Sequence, residues 1–123
     1  MPKEIDWVGF DRYDIADPAH DAAWLADLQT VKNARSRPDQ KIVIVMDTQW
    51  RPYYGVAGIQ PADMAAVGAS TLEVAAADPD VVAIVGYLWP NALDLPEQVG
   101  ARGLPASVRA FYTNLGHAVI AAR

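Results

Sequence analysis

The chain has no cysteine. A disulfide scaffold, a thiolate zinc site and a thiol nucleophile are therefore excluded. Compartment is left open, because cysteine-free proteins occur in reducing and oxidising spaces alike. A basic surplus is also missing. The 10 Lys and Arg stand against 15 Asp and Glu, for a net charge of −5, so nucleic acid is not an expected partner. No apolar run approaches the roughly 20 residues of a membrane-spanning helix. The longest, at 42–46 and 81–86, are short, so the chain reads as soluble with no membrane partner. The opening Met-Pro-Lys-Glu-Ile-Asp-Trp lacks the apolar centre of a signal peptide, and localisation stays unknown. No Gly-rich phosphate loop follows a strand-like run. Ser36, Ser70 and Ser107 lack a nucleophile-elbow context, and His20 and His117 lie far apart without ligand spacing. No cofactor and no metal are expected.

What is present is a globular composition. Apolar residues make up 52% of the 123 positions and include four Trp. That suffices for one cored domain, 1–123, and argues against disorder. Ile42-Val43-Ile44-Val45-Met46 is continuous and β-branched, as is Val81-Val82-Ala83-Ile84-Val85-Gly86. Runs of this kind read as parallel strands covered on both faces. Ile5-Asp6-Trp7-Val8-Gly9-Phe10 is a weaker third strand. A helical pattern follows each. Asp17-Pro18 supplies a cap and a first-turn proline, ahead of Trp24, Leu25, Leu28 and Val31 at helical spacing and an end near Ser36. Pro61 opens a second helix striped by Met64, Val67, Thr71 and Val74, closed by Asp78-Pro79. Pro105 opens a third, striped by Val108, Phe111, Tyr112, Leu115 and Val119. The order βαβαβα predicts an α/β fold of three βα units with a parallel sheet and right-handed crossovers. Arg35, Arg37 and Lys41 flank a loop and read as solvated surface.

The unusual residues gather after the strands, where parallel α/β folds place their sites. Asp47 ends the strongest strand, where it is expected to stand exposed at the rim as a candidate catalytic carboxylate. Its structural alternative is to hydrogen-bond loop amides. Trp50 offers a flat face for a sugar ring, or packs beneath the loop. Tyr87 and Trp89 combine apolar area with a polar handle, or close the core. Asp11-Arg12-Tyr13-Asp14 orients a ligand through Asp11 and Tyr13, or forms an internally salt-bridged loop. Tyr53 and Tyr54 extend the aromatic surface or cover the loop.

Taken in order, three of these runs resemble a known superfamily. Asp6-Trp7-Val8-Gly9-Phe10-Asp11-Arg12-Tyr13 is similar to the sixth strand of the (β/α)8-barrel glycoside hydrolases, Ile44-Val45-Met46-Asp47-Thr48-Gln49-Trp50 to the seventh, and Val85-Gly86-Tyr87-Leu88-Trp89 to the eighth. The resemblance implies the last part of a TIM barrel, a carbohydrate ligand, and Asp47 at the place of a nucleophilic Glu. Two departures stand out. Asp47 is one methylene short, and Gln49 replaces a glycine. The family's acid/base Glu lies on the fourth strand, to which nothing here corresponds, so the chain alone is catalytically incomplete.

A full barrel takes about 250 residues. Three units alone leave the inner sheet face and both edges uncovered, which favours self-association, pairing with a missing barrel portion, or a helix moved onto the open face. The competing expectation is a small flavodoxin-like α/β interaction domain without enzymatic activity, and a third is a truncated reading frame with no independent function.

Overall fold

The computed structural model describes residues 1–121. The elements run β1 Trp7–Asp11, α1 Ala22–Asn33, β2 Lys41–Asp47, α2 Pro52–Val56, α3 Met64–Ala77, β3 Val81–Tyr87 and α4 Ala106–Ala121. The three strands pair in parallel in the order β1-β2-β3. Phe10 stands level with Ile44, and Ile44 with Ile84. The chain is therefore α/β, built on three βα units, with the short α2 added after β2. No helix among the described residues is long and apolar enough to cross a membrane.

Strand alternation sorts the sheet into two faces. Val8, Phe10, Ile42 and Ile44 are buried against Trp24 and Leu28 of α1, with Val31, Val74 and Ala75 closing the cluster. The edge of the Trp24 ring meets Phe10 at a centroid distance of 5.0 Å. A second cluster, Tyr54, Met64, Val67, Leu104 and Val108, ties α2, α3 and α4 together. Met46 belongs to the same side, since its sulfur lies close to Gly68 of α3, which also approaches Phe111 and Tyr112 of α4. Both clusters thus lie on one side of the sheet. The other side carries Trp7, Gly9 and Asp11, then Val43 and Val45, then Ala83 and Val85, all half-buried or exposed. No described helix covers that side, so the rearrangement into a helix-covered sandwich is not what these residues form.

Several local expectations change. Strand β1 begins at Trp7 instead of Ile5. Pro18 opens a separate 3-10 turn, and α1 starts four residues later. Its cap is Asp21, whose carboxylate accepts the Trp24 amide at 2.7 Å, in place of Asp17. Leu25 is 38% exposed and lies off the core stripe. Arg35 is not solvated: its guanidinium binds Asp80 at 2.9 Å with only 14% of the side chain exposed. Lys32 reaches Asp78 at 2.7 Å, so these groups knit the amino-terminal end of the sheet.

Candidate functional site

At the carboxyl end of the sheet, register places Asp11 level with Val45 and Asp47 level with Tyr87. Tyr13 leaves β1 and stacks on Tyr87, with centroids 5.3 Å apart and planes 22° apart. The Tyr87 hydroxyl donates to Asp94 at 3.2 Å. The phenol of Tyr13 is held above its ordinary range by burial and then by the Asp11 carboxylate, with Asp47 adding in the same direction. Four of the sequence candidates, Asp11, Tyr13, Asp47 and Tyr87, therefore come together where β1, β2 and β3 end.

Asp47 itself is not exposed at the rim as the sequence suggested; it is 5% exposed. The loops close over it. Its Oδ2 accepts the Tyr54 hydroxyl at 2.7 Å and the Asp14 amide at 3.2 Å, while the Gln49 amide reaches Oδ1 at 3.4 Å. Two of these donors are loop amides, the structural role weighed against catalysis. Burial pushes its carboxyl up to about 6, against the pull of those donors. A carboxylate engaged by donors normally falls below its reference value; here desolvation outweighs hydrogen bonding. Tyr54 is raised in turn by burial and by the Asp47 charge beside it. The result is a carboxylic acid that exchanges a proton near neutrality, where a proton-transfer group is useful.

The two tryptophans separate from this group. Trp50 does not present a free face: its Nε1 donates to the Ile59 carbonyl at 2.7 Å, its ring lies on Gly55, and its backbone pairs with Val99. It is packing for the loop. Trp89 is 63% exposed, but it borders a hollow with Met46, Ile84, Gly86 and Tyr112, on the helix side of β3. Trp50 and Trp89 thus lie apart from the stacked Tyr13–Tyr87 pair. The sequence placed all these aromatics after strands but could not say toward which face each loop turns.

Arg51 and Gln98 were not singled out, and Asp14 and Gln49 take roles that the sequence did not assign. Asp14 sits at φ 64°, a left-handed conformation that Asp tolerates better than most residues. This turns its amide onto Asp47, and its carboxylate pairs with Arg51 at 3.3 Å, so the loop 11–14 is not bridged internally as expected. Arg12 binds Asp27 instead. Burial raises the Asp14 carboxyl while Arg51 opposes it. Gln49 and Gln98 are fully enclosed and bonded to each other through their amides, joining the β2 and β3 loops. The Asp14 Oδ1, Gln49 Nε2 and Arg51 Nε atoms are buried without partners. Tyr54 is the buried member of the tyrosine pair and Tyr53 the exposed one. Among the described residues no three His, Asp or Glu side chains group to hold a metal ion. Comparison of this chain with protein-family models, with curated proteins and with solved structures finds no match.

Proposed function

We propose that the carboxyl end of this sheet is the saccharide-contacting rim of a glycoside hydrolase-like (β/α)8-barrel portion, catalytically incomplete by itself. The observation that carries this reading is the stacked Tyr13–Tyr87 pair, set beside Asp11, Asp47 and Asp94 at the ends of adjacent parallel strands. An aromatic face with convergent acceptors suits a polyhydroxylated ring: the apolar face of the sugar stacks and its hydroxyls donate to carboxylates. The uncovered sheet face, with Val43, Val45 and Val85 on it, is the side that would point inward in a barrel. In this reading Tyr13 and Tyr87 hold the ring and Asp11 orients it. Asp47 supplies the proton-exchanging carboxyl once loop closure is relieved. A hydrolase needs a second carboxyl about 5–9.5 Å from the first, the spacing depending on stereochemistry.

Titration of the chain with cello-, xylo-, manno- and chito-oligosaccharides, followed by tyrosine and tryptophan fluorescence and by NMR shifts, tests this. Binding of one series is expected, weakened at least tenfold by Tyr13→Ala and by Tyr87→Ala and untouched by Tyr53→Ala, with no hydrolysis product. Silence of every series, or binding indifferent to Tyr13 and Tyr87, sinks the reading.

A further inference from the structure

We propose that Gln98 is the positioning residue of the Tyr13–Tyr87 face: its carboxamide folds the loop after β3 so that Asp94 stands against the Tyr87 hydroxyl and fixes the ring. Tyr87 is the last residue of β3 and is half-buried. Strand pairing sets its backbone level with Asp47. That does not fix the ring, because the side chain still turns about two bonds between backbone and phenol. The hydroxyl is tied to Asp94, to which it donates at 3.2 Å. Asp94 is exposed and belongs to no strand or helix. Its position has to come from within the loop, and Gln98 supplies it. The Gln98 Oε1 accepts the Leu93 amide and the Asp94 amide, each at 2.9 Å. Its Nε2 donates to the Asp94 Oδ2 at 3.2 Å, the same oxygen that receives the Tyr87 hydroxyl. The same nitrogen donates to the Gln49 Oε1, beyond the end of β2.

A primary amide offers two donor hydrogens and an oxygen with two lone pairs. Gln98 is buried and uses all of them. Its partner Gln49 uses its oxygen and leaves Nε2 without a partner. Of the two enclosed glutamines, Gln98 is therefore the one around which the loop is built, and Gln49 ties it to β2. The main chain supports the same arrangement. The Gln98 carbonyl accepts the Ala92 amide at 3.0 Å, and Ala92 has φ 53°, a left-handed conformation that alanine rarely adopts. The next residue, Val99, exchanges two backbone bonds with Trp50, at 2.7 and 2.9 Å. Bonds to the Leu93 and Asp94 amides shape the loop backbone. The bond to Asp94 Oδ2 does something else: it orients a carboxylate whose other partner among the described residues is Tyr87. That the face exists to hold a sugar rests on the saccharide reading; that Gln98 sets the face does not.

NMR of the full chain, with the Tyr13 and Tyr87 ring protons assigned, reads the stack directly, since rings with centroids 5.3 Å apart give cross-ring NOEs. Gln98→Glu keeps the oxygen that the Leu93 and Asp94 amides need and removes the donor aimed at Asp94. Asp94→Ala removes the exposed carboxylate itself. In both variants the cross-ring NOEs should be lost and the ring shifts should move toward those of exposed tyrosine. Asp94→Asn, which keeps an acceptor oxygen, should retain the NOEs. Combining Gln98→Glu with Asp94→Ala should move the rings no further than Asp94→Ala alone, as for two residues acting through one contact. Oligosaccharide affinity in the same samples should fall about three- to tenfold, the cost of ordering one freed side chain, and less than on removing the Tyr87 ring. NOEs that persist in Asp94→Ala, or in a folded Gln98→Glu, overturn the proposal, as does a stack lost equally in Asp94→Asn. The side-chain amide of Gln98 gives its own pair of signals, and one of them should shift in Asp94→Ala. A pair that does not move overturns the link even where Gln98→Glu fails to fold. Should the NOEs follow the expected pattern while no saccharide binds the wild-type chain, the saccharide reading falls and the placing of Tyr87 by Gln98 stands.

Discussion

Strands β2 and β3 are both seven residues long and nearly all apolar, yet they occupy opposite situations. In β2 four residues, Ile42, Ile44, Met46 and Asp47, are buried; in β3 none is. The difference is one of neighbours. Strand β2 has a strand on each side and helices on one face, whereas β3 has one strand neighbour and a roof, α4, that stands off. A continuous apolar run therefore reports how a strand is covered in its finished setting, and β3 is written for more cover than these residues give it. The same contrast explains why acid–base character collects at β2. There the strand end is enclosed enough for desolvation to carry the Asp47 carboxyl up to about 6.

The comparison breaks most visibly at Ile44. It is fully buried between α1 and the sheet. Ile44→Ala leaves a cavity that the surrounding Phe10, Trp24 and Leu28 cannot fill. A loss of about 2–5 kcal/mol is expected, a large share of the roughly 5–15 kcal/mol that holds a domain together. Urea unfolding measures it. A loss below about 1 kcal/mol would show that β2 is no better packed than β3.

The next effect is on the enclosed carboxyl. In the folded chain Asp47 titrates near 6, against an ordinary value of 3.8. Between those values the folded chain holds a proton that the unfolded chain has released. Stability is therefore complete below about pH 4, declines as the pH rises toward 6, and is level above that. The loss is on the order of 3 kcal/mol, because each pH step of one between the two values costs about 1.4 kcal/mol. Asp47→Asn keeps an acceptor for Tyr54 and cannot ionise, so its stability should lack this decline. Reading the difference between the variant and wild type, pH by pH, cancels other groups. Among these is Asp80, lowered by Arg35 and Lys32, whose contribution is lost only as the pH falls below the usual carboxylate range. Parallel curves for the two proteins would show that Asp47 is not the enclosed acid described here.

Much of this was legible in the residues. The three strands, their parallel order, and the helices after Pro61 and Pro105 follow from periodicity and from where proline and Asp stand, because those signals are local. The wrong cap at Asp17 is a local ambiguity: two acids precede the helix, and only the backbone shows that Pro18 belongs to its own turn. The site was legible in membership more than in arrangement. Asp11, Tyr13, Asp47 and Tyr87 were marked by their position after strands. That Tyr54 folds back onto Asp47, that Asp14 turns its amide inward, and that Gln49 meets Gln98 are long-range choices between loops, and no spacing rule encodes them. Trp50 and Trp89 show the same limit. Beyond the last strand residue the alternation of faces lapses, and a ring large enough to close a loop looks in sequence like one meant for a ligand.

The smallest effect belongs to Val85, and its smallness is the point. It lies on the uncovered side of β3 and is 52% exposed. Val85→Thr keeps the branched shape that suits a strand and replaces a methyl already facing water with a hydroxyl. In dilute solution the unfolding free energy should stay within about 0.5 kcal/mol of wild type, as for an ordinary surface substitution. The hydroxyl has nothing to desolvate against, so no polar group is trapped and no cavity opens. A destabilisation above about 1 kcal/mol would mean that a buried methyl had been lost. That requires something to lie over Val43, Val45 and Val85 even when copies are too few to associate, and the sheet would then have a second covered face.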